Sequence, residues 1–204
     1  MPEIVSPMVV LILWAGIGYL LGSVPWGVIV ARAMNLGDLR SIGSGNIGAT
    51  NVLRTGNKTA AALTLLFDAG KAAVAVVLAR WLAAEDAAQI AGLAAFVGHC
   101  FPIWLRFKGG KGVATYFGLL LMLDPVIGVL SGAIWLCVAA ISRYSSLAAL
   151  MAAGWTPIVI AITGRPDIFV LAAILGLLVY LRHWQNIARL RAGTETRIGG
   201  RKAN

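Results

Sequence analysis

The chain has 204 residues, 59% of them hydrophobic and only 12% charged, where ordinary globular domains carry roughly 45–50% and about 25%. One core of this size cannot hide so much apolar surface from water. The composition therefore excludes a soluble enzyme, a disulfide scaffold and a disordered tail, and implies an integral membrane protein. Charge is the second anomaly: 17 Lys and Arg face 8 Asp and Glu, a formal +9.

A span needs about 20 mostly apolar residues. The N-terminus, MPEIVS, lacks the basic stretch that precedes a cleaved signal, so the first apolar run is expected to be retained as a span. It extends from Val5 to Val30 through Gly22–Ser23–Val24–Pro25. A polar, Gly-rich segment from Arg32 to Lys58 follows. The next spans are predicted from Thr59 to Trp81 and from Ala87 to Trp104, then, after a basic Gly-rich stretch, from Val113 to Leu123. The last three run from Val126 to Ile141, from Ser146 to Thr163 and from Asp167 to Leu181, ahead of a basic tail. The fourth is short, and either tilts or continues a broken helix that begins near the glycines. Cys100 and Cys137 lack metal-like spacing and are expected to be small buried hydrophobes.

Seven spans put the charges on alternating sides. The tail's side collects fourteen basic residues, including Arg201 and Lys202, against the acids Asp38 and Glu195. The other side holds Arg80 and Arg165 against Glu3, Glu85, Asp86, Asp124 and Asp167. Basic loops stay cytoplasmic, which predicts an all-α, seven-helix membrane protein with its N-terminus outside and its C-terminus in the cytoplasm. Asp68 and Lys71 remain inside the second span. At i, i+3 they can form a structural ion pair, or Lys71 can help to build an anion pocket.

Three polar segments fall on the basic side. In Ser41–Ile42–Gly43–Ser44–Gly45–Asn46–Ile47–Gly48–Ala49–Thr50–Asn51–Val52–Leu53–Arg54, small residues allow close backbone approach. Ser44, Asn46, Thr50 and Asn51 offer neutral hydrogen-bonding groups, and Arg54 a fork for phosphate. A capped turn is the plainer alternative. In Phe107–Lys108–Gly109–Gly110–Lys111–Gly112–Val113–Ala114–Thr115, preceded by Gly98–His99–Cys100–Phe101–Pro102, glycines running into a helix can turn amides toward an anion. This is not a Walker A loop, because Gly112 follows Lys111. A flexible basic loop is the alternative. In Arg182–His183–Trp184–Gln185–Asn186–Ile187–Ala188–Arg189, a helix would set His183, Asn186 and Arg189 on one face; helix capping or lipid contact would explain the same residues. The shared theme is anion binding at a membrane face. With two acids on this side, a catalytic metal is not expected, and His-x₄-Asp is absent. The rival classes are an organic-phosphate transporter, which would need an internal repeat, and a lipid-binding scaffold.

Taken in order, these three segments, with the continuation Leu190–Arg191–Ala192–Gly193–Thr194–Glu195 and the early Gly22–Ser23–Val24–Pro25–Trp26–Gly27, resemble the bacterial acyl-phosphate:glycerol-3-phosphate acyltransferases, the PlsY family. Ile47 stands where the family commonly has Pro, which is expected to loosen that turn slightly. The resemblance implies one membrane acyltransferase domain over residues 1–204, in the bacterial inner membrane with its active site facing the cytoplasm. It implies transfer of an acyl group from acyl phosphate to the 1-hydroxyl of sn-glycerol 3-phosphate, releasing lysophosphatidic acid and phosphate for phospholipid synthesis. No cofactor and no nucleic acid are implied, and an acyl-phosphate-forming enzyme acts upstream. Ser44, Arg54, Lys111, His183 and Asn186 match the family's catalytic positions. Asn46, Thr50, Asn51, Lys108, Gly109, Gly110, Gly112 and Thr115 are expected to bind substrate. The glycines around Lys111 and the amides near Ser44–Asn46 would hold the acyl phosphate, while Ser44, His183 and Asn186 orient the glycerol phosphate.

Overall fold

The structure, a computed structural model, describes residues 2–199; Arg201 and Lys202, counted above in the basic tail, lie outside the described residues. The helices in chain order are α1 (Met8–Ser23), α2 (Trp26–Ala33), α3 (Ala49–Leu53), α4 (Lys58–Leu82), α5 (Glu85–Cys100), α6 (Val113–Leu123), α7 (Pro125–Ser142), α8 (Ser145–Thr163), α9 (Phe169–Arg182) and α10 (Trp184–Arg191). No strand occurs among the described residues. Each expected apolar run contains helix, the first in two pieces. Five helical stretches are long and apolar enough to cross a membrane: Met8–Ala33, Lys58–Leu82, Glu85–Leu105, Pro125–Ser142 and Ser145–Thr163. A sixth follows if Pro166–Arg182 and Trp184–Arg191, bent by 59°, count together, and Val113–Leu123 is apolar but shorter. The chain is thus an all-α, multi-pass membrane protein.

The short helix α6 does not continue a broken one. It starts at Gly112, whose φ is +81°, and residues 106–112 before it are not helical, with Arg106 and Phe107 also at positive φ. The break in the first span lies instead at Val24–Pro25, between α1 and α2. Proline has no N–H to continue the helix, and carbonyls freed in lipid need a donor. Lys71 Nζ supplies it to Val24 O at 3.0 Å, and at the same time pairs with Asp68 Oδ1 at 3.0 Å. The expected Asp68–Lys71 ion pair is therefore present. Its lysine braces the break in the first span and does not line the anion site described below.

Lipid tails give helices no hydrophobic reason to associate, so close packing of small residues must hold them. α1 lies against α5 with Gly18 and Gly22 facing Ala91 and Ala95 so closely that an added Cβ would run into their backbone. Gly118 of α6 sits on the Ala69 backbone of α4 in the same way. The outward faces carry Ile12, Leu66, Val77 and Ile162, all exposed, as a helix in lipid requires. Cys100 is buried, but Cys137 is exposed on α7; an apolar thiol is as well solvated by lipid as by a core, so composition could not separate the two. At the end of the bundle carrying the acids, Arg80 pairs with Glu85 (2.7 Å) and Arg165 with Asp124 and Asp167. Asp86 accepts from the Val5 and Ser6 amides.

Candidate active site

At the opposite end from those ion pairs, α3, α4, α6, α7, α8 and the tail enclose a cavity of about 690 Å³. One part is polar, and carries Ser44, Asn46, Thr50, Asn51, Arg54, Lys111, Gly112, His183, Asn186, Glu195 and Thr196. The other part is apolar, formed by Ala61, Ala62 and Leu65 of α4, Phe117 and Leu121 of α6, and Val129 and Leu136 of α7. Leu65, Val129 and Leu136 are 52%, 60% and 64% exposed, so the groove opens sideways to the lipid between α4 and α7. No sequence pattern marked the residues of this groove. α6 packs against both α4 and α7, and its shortness puts its N-terminus where the polar and apolar parts meet. The first-turn amides of a helix have no partner within it and favour an anion.

All five expected catalytic residues line this cavity, although they come from segments far apart in sequence. Lys111 Nζ donates to Asn186 Oδ1. Burial lowers the Lys111 ammonium to about 8, with Arg189, Arg182 and Arg54 adding repulsion and Glu195 opposing them. Burial also lowers the Arg54 guanidinium, and Glu195 again opposes the shift. His183, at the bend between α9 and α10, lies 2.8 Å by Nδ1 from Val179 O. A carbonyl only accepts, so Nδ1 carries the proton and Nε2 is left as an acceptor. Burial is the main cause that pushes His183 down to about 4, helped by Lys111 and Arg182 and opposed by the Val179 carbonyl and Glu195. The imidazole is accordingly neutral at pH 7.

Several expected binding groups make bonds within the protein. Asn51, buried at 1% exposure, is bonded at both ends of its amide. Its Oδ1 accepts from Ser44 N (3.1 Å), Ser44 Oγ (3.3 Å) and Arg54 Nη1 (3.1 Å), and its Nδ2 donates to Leu39 O. It ties the first polar segment into shape and aims Arg54. The Ser44 and Gly45 amides likewise donate within the segment, to Asn51 Oδ1 and Ile42 O. Gly109 and Gly110 stand outside the cavity lining, and their amides donate to Cys100 O and His99 O, both at 3.1 Å. Their lack of a side chain is needed because a Cβ at Gly109 would strike the His99 carbonyl and Pro102, and one at Gly110 the His99 ring. Lys108 is exposed and outside the cavity, and its carbonyl accepts from Arg40 Nη2. Thr115 is fully buried and donates to Asp68 O at 2.9 Å. Arg182 also points away from the cavity, donating to the Gly109 and Gly110 carbonyls. Ile47 is buried at 3% among Val30, Leu39 and Val52, so side-chain packing holds a turn that proline would otherwise preset.

Other residues of this cavity escaped the sequence. Glu195 accepts from Ser146 Oγ (2.9 Å), Asn186 Nδ2 (2.7 Å) and Arg189 Nε (2.7 Å). Burial alone would raise its carboxyl, but these three donors hold it below the ordinary range. It folds the tail over the polar end, where Thr196 accepts from Arg54 Nη2 at 2.7 Å. One signal was available: Glu195 is one of two acids on the strongly basic side. Asp68 and His99, assigned to spans, also line the cavity.

A family model described as glycerol-3-phosphate acyltransferase matches residues 12–193. A glycerol-3-phosphate acyltransferase of Ruegeria pomeroyi is 60% identical, covering 100% of both chains. Another, of Dinoroseobacter shibae, is 56% identical over 99% of this chain and 100% of the relative. The crystal structure of PlsY, an integral membrane glycerol 3-phosphate acyltransferase, in its glycerol 3-phosphate form superimposes with a TM-score of 0.86 at 35% identity, covering 92% of this chain and 94% of that one. Its lysophosphatidic acid form gives 0.83 at 32% identity, with the same coverage. A bundle with one phosphate-sized cationic end and one lipid-open groove, matched along nearly its whole length by such relatives, belongs to the PlsY family of glycerol-3-phosphate acyltransferases.

Proposed function

We propose that the chain moves an acyl group from acyl phosphate to the 1-hydroxyl of sn-glycerol 3-phosphate and releases lysophosphatidic acid and inorganic phosphate. One observation carries this reading. A single cavity joins the cation pair Arg54 and Lys111 to an apolar groove open to lipid. That union suits a donor with a phosphate head and a hydrocarbon tail beside a small phosphorylated acceptor. The glycerol 3-phosphate and lysophosphatidic acid forms of the PlsY relative agree with it.

Acyl phosphate is already activated, so no covalent intermediate and no cofactor is required. The acceptor oxygen attacks the acyl carbonyl carbon, and the bond from that carbon to the phosphate oxygen breaks. Arg54 and Lys111 offset the repulsion between two anions and stabilise the charge that gathers on the leaving phosphate. His183, with Nε2 free to accept, orients the glycerol hydroxyl. Its low pKa makes it too weak a base to keep the proton, which passes to the phosphate oxygen of the donor. The acyl phosphate is supplied by a separate acyl-activating reaction upstream.

Seven crossings complete this reading, with the N-terminus outside and the cavity on the cytoplasmic side of the inner membrane. The segregation of charge supports it, since the far end pairs its few arginines with acids while the cavity end keeps the basic excess. α6 spans about 16 Å at 1.5 Å per residue. Lys111 and Gly112 extend it as irregular backbone, which membranes tolerate where it lines a polar cavity.

Purified protein given palmitoyl phosphate and glycerol 3-phosphate is expected to release phosphate in step with lysophosphatidic acid; no release with any acyl phosphate would sink the proposal. His183→Ala is expected to lower kcat by about ten- to a hundredfold, less than the roughly 10²–10⁴-fold of a lost general base. Complete loss with unchanged glycerol-phosphate binding would instead make His183 the essential base.

A further inference from the structure

Charges inside a membrane are costly, and they persist where they pair and serve a site. Asp68, Lys71 and His99 form such a cluster, all three buried, at 2%, 6% and 5% exposure. Asp68 Oδ1 lies 3.0 Å from Lys71 Nζ and 3.5 Å from His99 Nδ1. Three elements converge on it. Lys71 holds Val24 O at the break in the first span. Thr115, in the first turn of α6, donates to Asp68 O. His99 accepts the Gly110 amide on its carbonyl, and its ring lies directly under Gly110, so that an added Cβ there would overlap Nε2. Gly110 immediately precedes Lys111. From the other side, Arg182 donates to the Gly109 and Gly110 carbonyls. Asp68 and His99 both reach the cavity wall beside Lys111 and Gly112.

We propose that Asp68, His99 and Lys71 are positioning residues for the donor, holding the glycine loop and the α6 N-terminus so that Lys111 and the first-turn amides stay aimed at the phosphate of the acyl phosphate. The cluster touches the loop through the His99 ring and carbonyl, and α6 through the Asp68 main-chain carbonyl that accepts from Thr115. It has no contact of this kind with Ser44 or Asn186, which orient the acceptor; Asn186 is reached only through Lys111. The donor, held by the glycine loop and the start of α6, is therefore affected more than the acceptor, a difference that a general loss of stability would not produce. This inference rests on the acyltransferase reading above.

The test measures KM for palmitoyl phosphate and for glycerol 3-phosphate separately, with thermal unfolding alongside, for His99→Ala, Asp68→Asn, Lys71→Met and the double variant Asp68→Asn/Lys71→Met. His99→Ala and Asp68→Asn are expected to raise KM for palmitoyl phosphate more than tenfold while KM for glycerol 3-phosphate stays within twofold. The double variant is expected to lose less than the product of its single losses, because it leaves no unpaired buried charge. If Asp68→Asn does not fold, His99→Ala decides. Parallel rises in both constants that track a lowered unfolding temperature would overturn the proposal, as would an unmoved KM for palmitoyl phosphate in folded His99→Ala. No turnover by the unaltered chain would instead sink the acyltransferase reading itself.

Discussion

Lys111→Ala is expected to lower kcat/KM about a thousandfold or more. Removing one preorganised donor from a buried site costs roughly 10²–10³ in rate. Lys111 does more than donate, because its ammonium also holds Asn186, which in turn holds Glu195 and the tail. Arg54→Ala removes the partner cation, and with it the contact to Thr196, so a loss of similar size is expected. A pH profile checks that the effect is electrostatic. The Lys111 ammonium sits at about 8, below its ordinary value. It is charged below that pH and loses its proton above it. kcat/KM, which reports the free enzyme, should therefore fall as pH rises through about 8. Lys111→Arg keeps the charge to much higher pH, so it should retain part of the activity and lose this alkaline limb. A residual activity above a tenth in Lys111→Ala, or a flat profile to pH 9.5 in the unaltered chain, would contradict the assignment.

Gly112→Ala is expected to be nearly as damaging, for a steric reason. Gly112 has φ +81°, a conformation costing an L-residue roughly 1–2 kcal/mol. Its new Cβ would also overlap the ring of Phe96, which is fully buried. Either Phe96 moves within a close-packed interface or the start of α6 shifts, and with it the amides beside Lys111. More than a hundredfold loss of activity and a lower unfolding temperature are expected. Gly16→Ala serves as the comparison, since nothing lies within 4 Å of a Cβ there; its activity should match the parent. Equal behaviour of the two variants would show that the Phe96 contact does not constrain the site.

The glycines separate what was legible in the chain from what was not. The run around Lys111 was recognisable as a place of close backbone approach, but not what approaches. Gly109 and Gly110 turn their amides to the end of α5, and only Gly112 and the first turn of α6 face the cavity. Asn51 teaches the same lesson: its side chain suited a ligand, and in the fold it also binds its own segment. An amide or hydroxyl bonds whichever partner the fold brings near, and sequence spacing names the group without naming the partner.

The sequence by itself determined the membrane character, the approximate place of the apolar helices and the segregation of basic from acidic loops, because run length and charge are local properties of the chain. It also contained the residues that line the polar end of the cavity, from Ser44 to Asn186. Only the tertiary structure decided that the three polar segments meet in one cavity, and that the tail closes it through Glu195. It alone placed the lateral opening between α4 and α7, and brought Asp68 and His99 to the cavity wall. These depend on how closely distant helices approach, which small residues such as Gly18, Gly22 and Gly118 permit but which the partner's surface, far away in the chain, must complete.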